Sequence, residues 1–226
     1  MEINKKDVVT LLKETSILKQ EVYATTLACF KKFKLVVEEE LAEFRLKIPD
    51  KRVRLKFDYN GDFETHAYVG SDVLVFNMHT NVFTFPSENA IWKNSYIEED
   101  KELGYFGVIN VYNFLAESFL QKRMRDAGYL IGRIFINKDG HFMIEGKGEL
   151  SYYFRNIRSN IFDSETMKNI FEVAVKHAAE FDLHTPPFSK VSIVSVEQIK
   201  TVSTAQELKT GKRLGFKFEA DYKKNN

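Results

Sequence analysis

The chain has 226 residues, enough to bury a sizeable core in one large domain or two small ones. Its 44% hydrophobic and 29% charged content is that of an ordinary globular protein, and a formal net charge of +1 excludes a protein-wide pull on nucleic acid or anionic membrane. Cys29 is the single cysteine, which excludes an intramolecular disulfide and a cysteine-based metal cluster.

The first 48 residues contain no glycine and no proline. Apolar residues recur there at three- and four-residue steps: Val8, Leu11, Leu12, Leu18, Val22, Thr26, Cys29, Phe33, Val37, Leu41 and Phe44. This is a helix pattern, with Asn4 as N-cap and Asp7 in the capping-box position. From Asn4 to Phe44 such a helix is about 60 Å long, against a diameter of roughly 45 Å for a compact domain of this size. The helix therefore either bends, near Thr15-Ser16 or Thr25-Thr26, or protrudes and pairs with another chain. Lys31, Lys32 and Lys34 followed by Glu38, Glu39 and Glu40 weigh toward a break.

After Pro49 the period changes to two. Val53, Leu55, Phe57 and Tyr59 alternate with Arg54, Lys56 and Asp58, as in a half-buried strand. A three-residue loop Tyr59-Asn60-Gly61 pairs Phe57 with Phe63, Leu55 with Thr65 and Val53 with Ala67, which keeps apolar residues on one face and Gly61 left-handed. Further strands are expected over Asp72–Met78 and Val82–Phe85, then a mobile polar loop from Pro86 to Glu102. A second helix is expected over Ile109–Ala127, ending at Lys122, Arg123, Arg125 and Gly128, although Tyr105–Tyr112 reads equally well as a strand. The next hairpin turns at Lys138-Asp139-Gly140, with Ile136 facing Phe142, Ile134 facing Ile144, and Arg133 across from Glu145. Asp163-Ser164 caps a third helix with Met167, Ile170, Phe171, Ala174, Ala178 and Phe181 on one face. Two final strands are expected over Val191–Ile199 and Arg213–Asp221.

Segregated helices and antiparallel strands give an α+β class. The expectation is one domain over residues 1–226, with a helical N-terminal segment (1–48) and a sheet-rich body (49–226). It comprises about eight mostly antiparallel strands, the long N-terminal helix and two further helices.

Local chemistry is sparse. Gly104–Gly107 and Gly128–Gly132 lack the third glycine and the strand-to-helix context of a dinucleotide loop. The five histidines show no metal-ligand spacing, and no cofactor or metal is expected. Glu64 and His66 share one strand face, which the register makes the outward one, so an exposed histidine is the expectation beside a two-ligand reading. Arg133 and Glu145 form an ion pair on a sheet face, which binds a polar ligand if that face lines a pocket. Tyr152, Tyr153, Arg155 and Arg158 have the composition of a protein interface, or of a last strand of the sheet. Lys122, Arg123 and Arg125, with Lys209, Lys212 and Arg213, are the basic groups. Cations at a helix end need no nucleic acid to explain them, so nucleic acid is not the expected partner.

Without an apolar run long enough for a signal peptide or a membrane span, the protein is read as cytoplasmic, with no membrane partner. The leading function is a non-enzymatic binding module for a small ligand, or for a protein partner or homo-oligomer through the N-terminal helix. An enzyme with an acid–base site assembled from dispersed residues comes second, and a nucleic-acid binder third.

Overall fold

The computed structural model describes residues 5–124, 126–181, 187–193, 195 and 196. Helix α1 runs unbroken from Lys5 to Lys47, 43 residues. At 1.5 Å per residue it is about 64 Å long. No break interrupts it at either expected place, Thr15-Ser16 or Thr25-Thr26, nor between the Lys31–Lys34 and Glu38–Glu40 runs. Thr26 Oγ1 donates to the Val22 carbonyl at 2.7 Å within the helix, and Thr25 Oγ1 donates outward to the Lys138 carbonyl at 3.0 Å. The helix protrudes instead. Its stripe is buried from Leu18 through Val22, Thr26, Phe30, Phe33, Val37 and Leu41. N-terminal to Leu18 the same stripe is bare, with Leu11 64% and Leu12 59% exposed.

The strands are β1 (Leu55–Tyr59), β2 (Glu64–Val69), β3 (Asp72–Met78), β4 (Phe83–Thr84), β5 (Tyr105–Leu115), β6 (Tyr129–Ile136) and β7 (Phe142–Gly146). They form an antiparallel sheet in the order β1-β2-β3-β5-β6-β7, with β4 paired to the start of β5. Sequential strands are thus spatial neighbours, as expected of short hairpin connections. The inner face packs on α1 and on α5 (Ser164–Ala179) through Leu74, Phe76, Ile109, Ile134, Phe142 and Phe171. Phe33 meets Phe76 edge-on at 5.0 Å. This is an α+β fold, and no helix among the described residues is long and apolar enough to cross a membrane. Seven strands are described against about eight expected. Phe188–Val191 is a short helix (α6) where a strand was expected to begin at Val191. Most of that segment, the expected strand Arg213–Asp221, and the residues Asn4, Arg125, Lys209, Lys212 and Arg213 lie outside the described residues.

The β6–β7 hairpin has the expected pairs, Ile136 with Phe142, Ile134 with Ile144 and Arg133 with Glu145. The β1–β2 hairpin is wider than expected. Phe57 pairs with Ala67 and Leu55 with Val69, and Val53 lies outside the strand. The displacement is an even number of residues, so the apolar face is preserved. The wider loop is held by Lys34 of α1, whose Nζ donates to the carbonyls of Gly61 (3.0 Å) and Asp62 (3.1 Å) and lies 4.0 Å from the centre of the Tyr59 ring. Gly61 is left-handed, at φ 78°.

Ile109–Leu115 is strand rather than helix. As a central strand β5 is apolar on both faces, which removes the alternation that separates strand from helix in sequence. Only Ala116–Leu120 is helical there (α3). The stretch from Pro86 to Glu102 is not an irregular loop. It forms turns at Ala90–Lys93 and Lys101–Gly104 flanking α2 (Ser95–Glu99), capped by the side chains of Asn89, Asn94 and Asp100. Tyr152 and Tyr153 belong to helix α4 (Glu149–Tyr153), not to a strand. The chain beyond α4 lies along the β7 edge, where the Phe154 and Asn160 carbonyls accept the Ile144 and Phe142 amides.

Candidate functional site

The outer face of the sheet, opposite α1 and α5, carries two apolar clusters with a polar row between them. Tyr68, Val73, Val75 and Ala116 pack with Phe114 and Phe119 at the α3 end. Ile97, Leu103, Phe106, Val108, Phe135 and Ile157 pack with Phe85 and Trp92 at the other. The second cluster roofs part of the sheet with the 86–104 segment, which is tied down at several points. Lys138 pairs with Asp100 at 3.0 Å and with Glu102, Asn137 Nδ2 donates to the Tyr96 hydroxyl at 3.2 Å, and Arg158 bonds Ser95 and Glu99. The Asp100 carboxyl is held below its usual range by the Glu102 backbone amide and by Lys138.

Between the clusters, strand pairing aligns Glu64, Asn77, Asn110, Arg133 and Glu145 in one transverse row across β2, β3, β5, β6 and β7. At about 4.8 Å per strand the row is roughly 19 Å long. Glu64 accepts from Asn77 Nδ2 at 3.2 Å and contacts His66 Nε2 at 2.9 Å. Arg133 pairs with Glu145, and its guanidinium lies 5.6 Å from the centre of the Phe135 ring. Three of the four ligand candidates, Glu64, Arg133 and Glu145, therefore share one row, and His66 sits beside it.

His66 departs from expectation. It faces outward, yet it is buried, because α3 places the Phe119 ring edge-on at 4.8 Å and Glu64 closes the other side. Its Nε2 lies 2.9 Å from Glu64 Oε1. The interface candidates divide as well. Tyr152 (75% exposed) and Tyr153 (57%) stand out from α4, and Arg155 is exposed. Arg158 is committed to Ser95 and Glu99.

Beside Arg133 the outer face opens into a cavity of about 390 Å³ lined by His79, Phe83, Thr84, Phe85, Val108, Asn110, Arg133 and Phe135. The size is within the usual range for small-molecule sites. Of these residues only Arg133 was singled out from sequence. Asn77 and Asn110 carried a readable signal, a single polar residue inside an apolar run on the outward-facing parity. His79, Phe83 and Phe85 carried none, since they converge only through the β4–β5 pairing. Cys29 is partly covered, and burial pushes its thiol upward, away from the reactive thiolate. Among the described residues no group of three or more His, Cys, Asp or Glu side chains is placed to hold a metal ion.

The groove can thus seat a small amphipathic molecule, with aromatic walls at one end and hydrogen-bonding groups along the floor. Comparison with known proteins adds no name to this geometry: no family model, no curated protein and no solved structure matches the chain.

Proposed function

We propose that this chain is a non-enzymatic binding module that takes a small ligand in the groove on the outer face of its sheet. The observation that carries the reading is the junction of the polar row with the aromatic-walled cavity at Arg133. Apolar walls with a few convergent polar groups are the usual composition of a ligand site. The alternative, an acid–base site assembled from dispersed residues, draws no support from His66, whose imidazole is buried under Phe119. Mass spectrometry of freshly purified protein, sprayed under native and then denaturing conditions, tests the reading. The expected result is an extra mass that vanishes on denaturation and is missing from Thr84→Trp, which adds bulk to the cavity lining. An extra mass retained equally by Thr84→Trp refutes the groove as its seat.

A second surface is favoured by a separate observation. Val8, Val9, Leu11 and Leu12 continue the buried stripe of α1 past the sheet and are exposed. We read this arm as the contact for a protein partner or a second copy of the chain. Light scattering behind size exclusion, comparing the natural chain with Leu11→Glu/Leu12→Glu, separates the two. An oligomer that the double substitution dissociates identifies a second copy, and a concentration-independent monomer refutes self-association.

A further inference from the structure

We infer that the groove is selective for flat, apolar molecules bearing one carboxylate, with Arg133, His79 and Asn110 receiving the carboxylate and the Phe83, Phe85 and Phe135 rings receiving the apolar body. This rests on the groove being a ligand site, and it adds the charge and shape of the occupant.

His79 Nδ1 accepts the Asn81 amide at 3.0 Å. The neutral ring therefore carries its proton on Nε2, which has no hydrogen-bond partner among the described residues. The Asn110 side chain, half-buried in the middle of the row, also makes no hydrogen bond among the described residues. Arg133 has five N–H donors, and Glu145 occupies only one edge of that fork. The guanidinium lies 5.6 Å from the centre of the Phe135 ring, which lines the same cavity. Donors thus face the cavity, while among the described residues no carboxylate lines it.

Such a wall selects by sign. A cationic ligand meets the Arg133 donors with no carboxylate among the described residues of the cavity wall, since Glu145, the partner of Arg133, is not among the lining residues. A polyphosphate meets a single guanidinium, since Arg133 is the one Lys or Arg among the described residues that line the cavity. A single carboxylate matches the planar fork, and the imidazole and amide N–H groups satisfy its remaining lone pairs. The apolar end selects by shape. Phe83 meets His79 edge-on at 4.8 Å, and Phe85 meets Phe135 at 5.0 Å, which leaves aromatic walls for a flat body.

The test uses three matched fluorinated probes of one shape: 4-(trifluoromethyl)benzoate, 4-(trifluoromethyl)benzyl alcohol and 4-(trifluoromethyl)benzylamine. Each is titrated with the full chain and followed by fluorine NMR line width. The expected result is binding of the benzoate about tenfold tighter than the alcohol, the difference of one charge-assisted contact, and weakest binding of the amine. Arg133→Met brings the benzoate down to the alcohol's level. Glu145→Gln leaves the preference intact or strengthens it, because it frees the guanidinium, and so controls for general damage to the face. Equal binding of all three probes, or preference for the amine, overturns the carboxylate assignment while leaving the groove a ligand site. Failure of all three to bind, with no Thr84→Trp-sensitive mass in the native spectrum, overturns both.

Discussion

Gly107 allows α1 to lie directly against the sheet, and replacing it gives a test with a worked magnitude. A Cβ built there falls 2.0 Å from Thr26 Oγ1 and 2.6 Å from both Thr26 Cβ and Cγ2. Because the Thr26 Cβ itself is in conflict, no rotamer change relieves the contact, and Thr26 is fully buried. Gly107→Ala must lift the helix or displace β5. Overpacking of this kind costs roughly 1–3 kcal/mol, and a clash with a backbone-anchored atom belongs at the top of that range. A loss of about 3 kcal/mol lowers Tm by roughly 6–12 °C in a chain of this length. Thr26→Gly alone removes a buried methyl and a hydroxyl contact and places glycine inside a helix, at a combined cost of about 2 kcal/mol. In the double variant the new methyl occupies the vacated space, so its cost stays near about 2 kcal/mol rather than the additive sum of about 5. Urea unfolding followed by Trp92 fluorescence and far-ultraviolet circular dichroism measures all four species. A Gly107→Ala protein within about 0.5 kcal/mol of the parent, or an additive double variant, refutes the close-approach account.

Three further outcomes follow from other contacts. Asp163 Oδ1 accepts the Thr166 amide at 2.9 Å at the start of α5, and this bond holds its carboxyl below the usual 3.8. The stability it contributes is complete above that value and lost as pH falls through the lower folded value. Asp163→Asn therefore flattens the acid limb below about pH 4, and Asp163→Ala costs about 1 kcal/mol at neutral pH; denaturation across pH 2–7 reads both. The Lys34 ammonium fastens the β1–β2 turn to α1, so Lys34→Met destabilises by about 2 kcal/mol and raises amide exchange first in that hairpin; uniform exchange across the sheet contradicts the assignment. Burial raises the Cys29 thiol above its ordinary 9.0, with Lys32 only partly offsetting it. Iodoacetamide should therefore react more slowly with the native chain than with the urea-unfolded chain at pH 7.5, and equal rates would show the thiol to be open.

Sequence patterning reached some elements fully and others by parity alone. The β6–β7 register was readable because its turn is local: Asn137 Oδ1 accepts the Asp139 and His141 amides, and Gly140 takes φ 78°. The β1–β2 register was misjudged because the turn is held from outside, by a lysine nearly thirty residues upstream. Helix α5 was legible from its cap and stripe, whereas β5 was misread over Ile109–Leu115 because large apolar side chains stand on both its faces, Ile109 and Val111 inward and Tyr112 and Phe114 outward. In the site, the Arg133–Glu145 pair was visible from one hairpin. The row was not, since Glu64 joins Arg133 only through Asn77 and Asn110, and those alignments depend on pairings across the β3–β5 and β5–β6 connections.

Helix α1 is synthesised before every strand it covers, and it also rests on α5, which closes at Ala179. At about 5–20 residues per second, the 135 residues between Phe44 and Ala179 take roughly 7–27 s to emerge. Throughout that interval the apolar face of α1 from Leu18 to Leu41 is only partly covered, gaining strands as they emerge and α5 last. A chain stalled shortly after β3, before β5 and α5 can cover that face, should therefore be the form most prone to aggregate.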